Sequence, residues 1–217
     1  MPTPIQRRVL SIIHDPKIPL AGDRRLSAAL GWNDPDALAE RYIEDVRACS
    51  HGLANYRVVD RIEVDGFPAK QDGFAYTPEA YWANWQRRSG WHKPDGVDYL
   101  RLVAQFDLLG RIAGDAIDEV WLFGGPYFGY YESIMGGPGA IPCNAPPLHG
   151  TEAAGRRFVI MGFNYERGVG EMLEDLGHRA EAILGHVYRN TSGSANLWER
   201  FTRHERSHPG RAECGNV

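Results

Sequence analysis

The chain has 217 residues, 43% of them hydrophobic and 24% charged, with a formal net charge of -4. That is an ordinary globular composition, long enough for one α/β domain with a real core. It argues against several classes. No basic run or aromatic-plus-arginine repeat points to nucleic acid. No apolar stretch approaches the ~20 residues of a membrane span. The N-terminal MPTPIQRRVLSIIHDP is not a signal peptide. Cys49, Cys143 and Cys214 are odd in number, widely spaced and without a CxxC pair, so a disulfide scaffold is not expected and a reduced, cytoplasmic setting is the default.

In chain order, Val9 to Ile13 is a short apolar run ending in His14-Asp15-Pro16, the pattern of a buried strand with polar residues at its carboxyl end. Arg24 to Leu30 suggests a short helical turn. Asp34-Pro35 is a strong helix start, an N-cap followed by proline at the first helical position. The helix is predicted to run from Asp36 to about Cys49 with Leu38, Tyr42, Ile43 and Val46 inward. Asn55 to Asp65 is β-rich and reads as a second strand. An insertion at about 69–96 is dense in aromatics (Phe74, Tyr76, Tyr81, Trp82, Trp85, Trp91) and suggests a lid, a cleft wall or a cap over the sheet edge. Within it, Thr77-Pro78-Glu79 starts a helix through Arg87.

Val97 to Gly114 reads as one helix, and Ile117 to Phe123 as a buried strand ending in Gly124-Gly125-Pro126. Tyr127 to Met135 reads as a short helix or turn, followed by a loop rich in glycine and proline. Phe158 to Met161 is another buried strand. It passes through Gly162–Gly168 into a long amphipathic helix whose expected core stripe is Met172, Leu173, Leu176, Ala180, Ile183, Leu184 and Val187. Leu197 to Glu205 suggests a last short helix.

Strands alternating with helices predict an α/β fold: a mainly parallel sheet flanked by helices, with Rossmann-like or flavodoxin-like layering and the aromatic insertion. The whole chain is expected to form one such domain, with 190–217 incomplete or leading into a further domain. Ligands in such folds sit beyond the carboxyl ends of the strands. That rule gathers His14 and Asp15, Tyr127 and Glu132, and Asn164, Tyr165, Glu166 and Arg167 on one rim. Glu132 and Glu166 are a candidate carboxylate pair for acid–base work, and His14 with Asp15 a candidate base and partner. Asn164, Tyr165, Arg167 and Tyr127 are candidate substrate contacts.

A second constellation lies on the long helix. Glu171, Glu174 and His178, at i, i+3 and i+7, form a row suited to a divalent metal, zinc or manganese. The competing reading is a solvated face almost opposite the core stripe. Gly170, Gly177 and Gly185 run beside the row. Because a mid-helix glycine costs about 1 kcal/mol, they predict something packed close to them. The GxGxxG, GxxxxGK[ST], GxSxG and HExxH patterns are absent.

The segments GPYFGYYESIMGGPGA, CNAPPLHGTE and RRFVIMGFNYERGVGEMLEDLGHRAE resemble a bacterial protein family with no assigned reaction. The resemblance covers most of the chain. It implies a bacterial origin and chains that continue past CGNV, and it carries no catalytic role with it. The reading of the residues is therefore a hydrolase, metal-assisted where the helix row holds an ion, acting on a peptide-like or glycan-like substrate in a cleft at the strand carboxyl ends. The alternatives are a non-catalytic ligand-binding or interaction domain of a larger bacterial protein and a Rossmann-like nucleotide or cofactor binder using the Gly-Gly-Pro loop.

Overall fold

The computed structural model describes residues 3–202. The expected continuation of the last helix to Glu205, and the tail beyond it, lie outside the described residues. In chain order the elements are β1 (Ile5–His14), β2 (Lys17–Ile18), β3 (Arg24–Arg25), α1 (Leu26–Leu30), α2 (Pro35–Cys49), β4 (Ala54–Val64), α3 (Pro78–Arg87), α4 (Tyr99–Gln105), α5 (Leu108–Ala113), β5 (Glu119–Gly124), β6 (Ser133–Gly136), β7 (Phe158–Asn164), α6 (Val169–Tyr188) and α7 (Leu197–Thr202). The main sheet has the order β4-β1-β5-β7-β6. The first four strands are parallel and β6 runs antiparallel to β7. The fold is the expected α/β layering, with an aromatic-rich cluster added.

Alternation along the strands divides the core in two. Leu10, Ile12, Val120, Leu122, Phe158 and Ile160 face α4 and α5. Val9, Ile13, Trp121, Phe123, Val159 and Met161 face α2 and α6. A sheet covered on both faces needs apolar side chains at both parities, which is why its central strands read as continuous hydrophobic runs. The caps also follow the sequence: the Asp34 carboxylate accepts from the Asp36 and Ala37 amides at the head of α2, and the Thr77 hydroxyl accepts from the Ala80 amide at the head of α3.

Four expectations change. The helix predicted over 97–114 is broken into α4 and α5 by Asp107, which takes a left-handed φ of 48°. The break lets Phe106 and Leu108, on either side of it, both enter the core. The segment read as a helix or turn holds β6, a four-residue strand whose ladder comes from distant β7. The core stripe of α6 is only partly covered: Met172 is buried, whereas Val187 is 58% exposed. The glycines of α6 do not mark a close neighbour either, since a Cβ at Gly170, Gly177 or Gly185 would meet open space.

The insertion forms a third, mostly aromatic cluster with Ile18, Leu26, Tyr76, Tyr81 and Phe128 at its centre. It is fastened by Lys70, whose fully buried ammonium donates to Asp95 Oδ1 (2.6 Å), the Asp95 carbonyl (2.7 Å) and the Tyr127 carbonyl (2.6 Å). Three acceptors use all three donors of the ammonium group.

A second buried charge holds α6 to the sheet. Glu119, at the start of β5, accepts from the Trp121 indole (3.0 Å) and pairs with Arg179 of α6 at 2.8 Å. Burial opposes the charge on Arg179, but Glu119 beside it more than compensates. Breaking such a pair from one side leaves an uncompensated buried charge, at a cost of about 3–5 kcal/mol. Arg179→Met should lower unfolding stability by about that amount in urea titrations. Arg179→Met combined with Glu119→Gln should recover much of the loss, because the amide oxygen still accepts from Trp121 and no charge is left unpaired.

Candidate active site

The carboxyl ends of β1, β5 and β7 meet at one end of the sheet, but the expected rim residues separate into an interior set and a surface set. His14 is 1% exposed, with its Nδ1 2.7 Å from the Tyr130 hydroxyl and its ring edge-on to Phe106. Burial lowers its pKa to about 4, so the imidazole is neutral at pH 7. Asp15, also buried, accepts from the Ser27 amide (2.9 Å) and hydroxyl (2.6 Å) at the first turn of α1. Burial raises its pKa, against the pull of those bonds. Tyr165 is fully enclosed; its hydroxyl donates to the His14 carbonyl (3.1 Å) and its own carbonyl accepts from the Asn33 side chain. These three tie β1, β7 and the loop after α1 together beneath the surface.

The surface set is built on the turn after β7. The Asn164 side chain accepts from the Glu166 amide at 3.0 Å, closing a short polar turn that leaves Glu166 exposed. Arg167 follows and pairs with Glu171 one helical turn on. Glu132 arrives from the β5–β6 connection: its carbonyl accepts from the Gly162 amide (3.1 Å) and its carboxylate from the Asn144 side chain (2.9 Å). Gly162 permits this, because a Cβ there would strike Tyr130 and the Tyr131 carbonyl.

Against this turn, α6 presents Asp175, a residue missed by the sequence reading. It is half-buried, and its pKa rises to about 7, first through burial and then through the negative charges of Glu132 and Glu174; His178 and Arg167 oppose the shift. The result is a carboxyl group partly protonated at neutral pH beside an acidic neighbour. The signal in the sequence is Glu171-x-x-x-Asp175, which places Asp175 one turn above the Arg167–Glu171 pair, between the acid row and the core stripe.

Beside Glu166 lies an aromatic surface. Tyr127 stacks on Trp91 with centroids 3.8 Å apart, Trp91 lies 6.3 Å from Trp85, and Trp32 meets Trp85 edge-on at 4.9 Å. The Arg88 guanidinium covers part of Trp85. Trp32 also packs on Tyr165, which joins this surface to the β7 turn.

The expected metal row is engaged along the helix itself. His178 faces Glu181 (3.3 Å) and Glu174 (3.7 Å), while Glu171 pairs with Arg167. Among the described residues no three His, Cys, Asp or Glu side chains are arranged to hold a metal ion. Cys143 is half-buried, and burial pushes its thiol pKa up, away from a reactive thiolate.

His14 and Asp175 act in opposite senses on stability. Folded His14 resists a proton that the unfolded chain accepts below about pH 6.5, so its contribution is lost as pH falls from there to about 4, by roughly 3 kcal/mol in all. Asp175, with a raised pKa, contributes stability that is present at low pH and lost as pH rises toward 7. His14→Gln should flatten the acid limb of a urea-midpoint-against-pH curve, and Asp175→Asn should steepen it.

No protein-family model, curated protein or solved structure matches the chain.

Proposed function

We propose that the protein is a hydrolase acting on a glycan-like substrate laid over the turn after β7. The observation that carries the reading is half-buried Asp175 on α6, a carboxyl group held near its protonation midpoint at pH 7 by burial and by the negative charge of Glu132. A carboxyl group with a raised pKa beside a second carboxyl group suits acid–base cleavage of a glycosidic bond. Asp175 is the general acid, protonating the leaving oxygen as the C–O bond breaks. Glu132 or Glu166 is the partner that activates water. The Trp32, Trp85, Trp91 and Tyr127 surface supplies flat faces for sugar rings, and Asn144, Asn164 and Arg167 supply hydrogen bonds. A glycan is favoured over a peptide by these stacked aromatic faces.

A second reading, a ligand-binding domain without turnover, is favoured by the aromatic surface of Trp32, Trp85, Trp91 and Tyr127, which can hold a ligand with no acid–base group.

The test is a panel of soluble oligosaccharides and aryl glycosides. Under the hydrolase reading, kcat should fall as pH rises through about 7, where Asp175 ionises. Asp175→Asn should lower kcat by about 10²–10⁴-fold, while Trp91→Ala should act mainly on KM. Oligosaccharide binding by wild type, lost in Trp91→Ala and accompanied by no hydrolysis at any pH, would establish the second reading instead.

A further inference from the structure

The edge strand β6 is shielded by the chain that follows it. The Ala145 amide donates to the Ser133 carbonyl (3.1 Å) and the Leu148 amide to the Met135 carbonyl (2.9 Å). Pro146 and Pro147, which have no N–H to donate, fill the two positions between. The outer edge of β6 is therefore not open to an added strand, and a partner here has to be recognised through side chains.

The two prolines line a cavity of about 350 Å³, together with Tyr99 and Leu100 of α4 and with Tyr131. The Tyr131 amide donates to the Tyr99 hydroxyl at 2.7 Å, which holds the two rings near-parallel, 12° apart, with centroids 6.0 Å from each other. Leu100 is 50% and Tyr131 39% exposed. The polar groups of the cavity are few. The Gln71 side chain and the Tyr131 hydroxyl make no hydrogen bond among the described residues. The Asp98 carboxylate caps α4, accepting from the Arg101 amide (2.9 Å), and has no ion-pair partner among the described residues. No lysine, arginine or histidine lines the cavity.

We propose that this cavity is a docking groove for a proline-rich segment of another protein with an arginine at one end. A polyproline II helix is extended, already ordered and without internal hydrogen bonds. Its rings need flat apolar faces, and its carbonyls need donors. The near-parallel tyrosines and the proline pair supply the faces. Gln71 and Tyr131 supply the donors. Asp98 supplies the countercharge, since a carboxylate on a surface without cations selects a guanidinium and repels an acidic peptide. The groove shares no residue with the acid pair or with the tryptophan surface.

The experiment is fluorescence-anisotropy titration of the full chain with labelled synthetic peptides. The probe is Pro-Leu-Pro-Pro-Leu-Pro with an arginine placed at either end. The controls carry alanine in place of every proline, or glutamate in place of the arginine. The expected result is saturable binding of the probe, with both controls at least about tenfold weaker. Tyr131→Ala should weaken the probe by at least about tenfold at an unchanged unfolding midpoint. Asp98→Asn, which still caps the helix, should abolish the preference for arginine over glutamate and keep the preference for proline over alanine. Trp91→Ala should bind the probe as wild type does, which separates this groove from the rim. No saturable binding with arginine at either end, equal binding of the alanine control, or affinity unchanged in Tyr131→Ala overturns the proposal. So does binding of a neutral oligosaccharide in place of the peptide, abolished in Tyr131→Ala, which would make the cavity a sugar site.

Discussion

The geometry of the candidate active site depends on one buried ammonium group. Lys70 can be buried only because Asp95 and two backbone carbonyls take its three protons, since an unpaired charge there would cost several kcal/mol. Those acceptors belong to the insertion and to the connection after β5, so satisfying the charge locks the two together. The next residues are then constrained. Gly129 sits at φ +87° against the Asp95 carbonyl, where any side chain would collide. Tyr130 consequently reaches His14, and Glu132 is delivered across Gly162 toward α6. The position of the proposed catalytic pair is therefore set from an aromatic insertion that contributes no carboxylate to it.

The two ends of the sheet are treated differently. At the carboxyl ends, the crevice that open α/β folds commonly use for ligands is closed by Phe128, Tyr130 and Tyr165. The proposed site therefore lies to one side, on the turn after β7 and the first turns of α6. At the amino ends, Arg8 and Arg156 pair with Asp115 and Asp118. Helix α6 connects these regions, carrying Asp175 toward the rim and Arg179 into the core beside Glu119. Its interior contacts are more polar than its apolar stripe suggests.

Much of this was legible from local pattern. The strands were visible as apolar runs because both faces of the sheet are covered, and the heads of α2 and α3 were visible because Asp34-Pro35 and Thr77-Pro78 form their caps within a few residues. Strand β6 was not legible. Four residues with glycines behind them carry no period of their own, and their ladder lies on β7, more than 20 residues away. The break between α4 and α5 was hidden for a similar reason: Asp107 ranks as an ordinary helical residue until the burial of Phe106 and Leu108 is weighed.

The sequence by itself determined the layering, the caps and the polar turn Asn164–Arg167, because each depends on residues close together in the chain. Tertiary structure alone decided which polar residues are available for chemistry. His14, Asp15 and Tyr165 look like rim residues in one dimension, yet their partners, Tyr130, Ser27 and Trp32, enclose them from distant or separate elements. Asp175 looks like one acid among several, and only burial beside Glu132 gives it a different proton affinity. Solvation is a property of the folded surroundings, and proton affinity follows solvation.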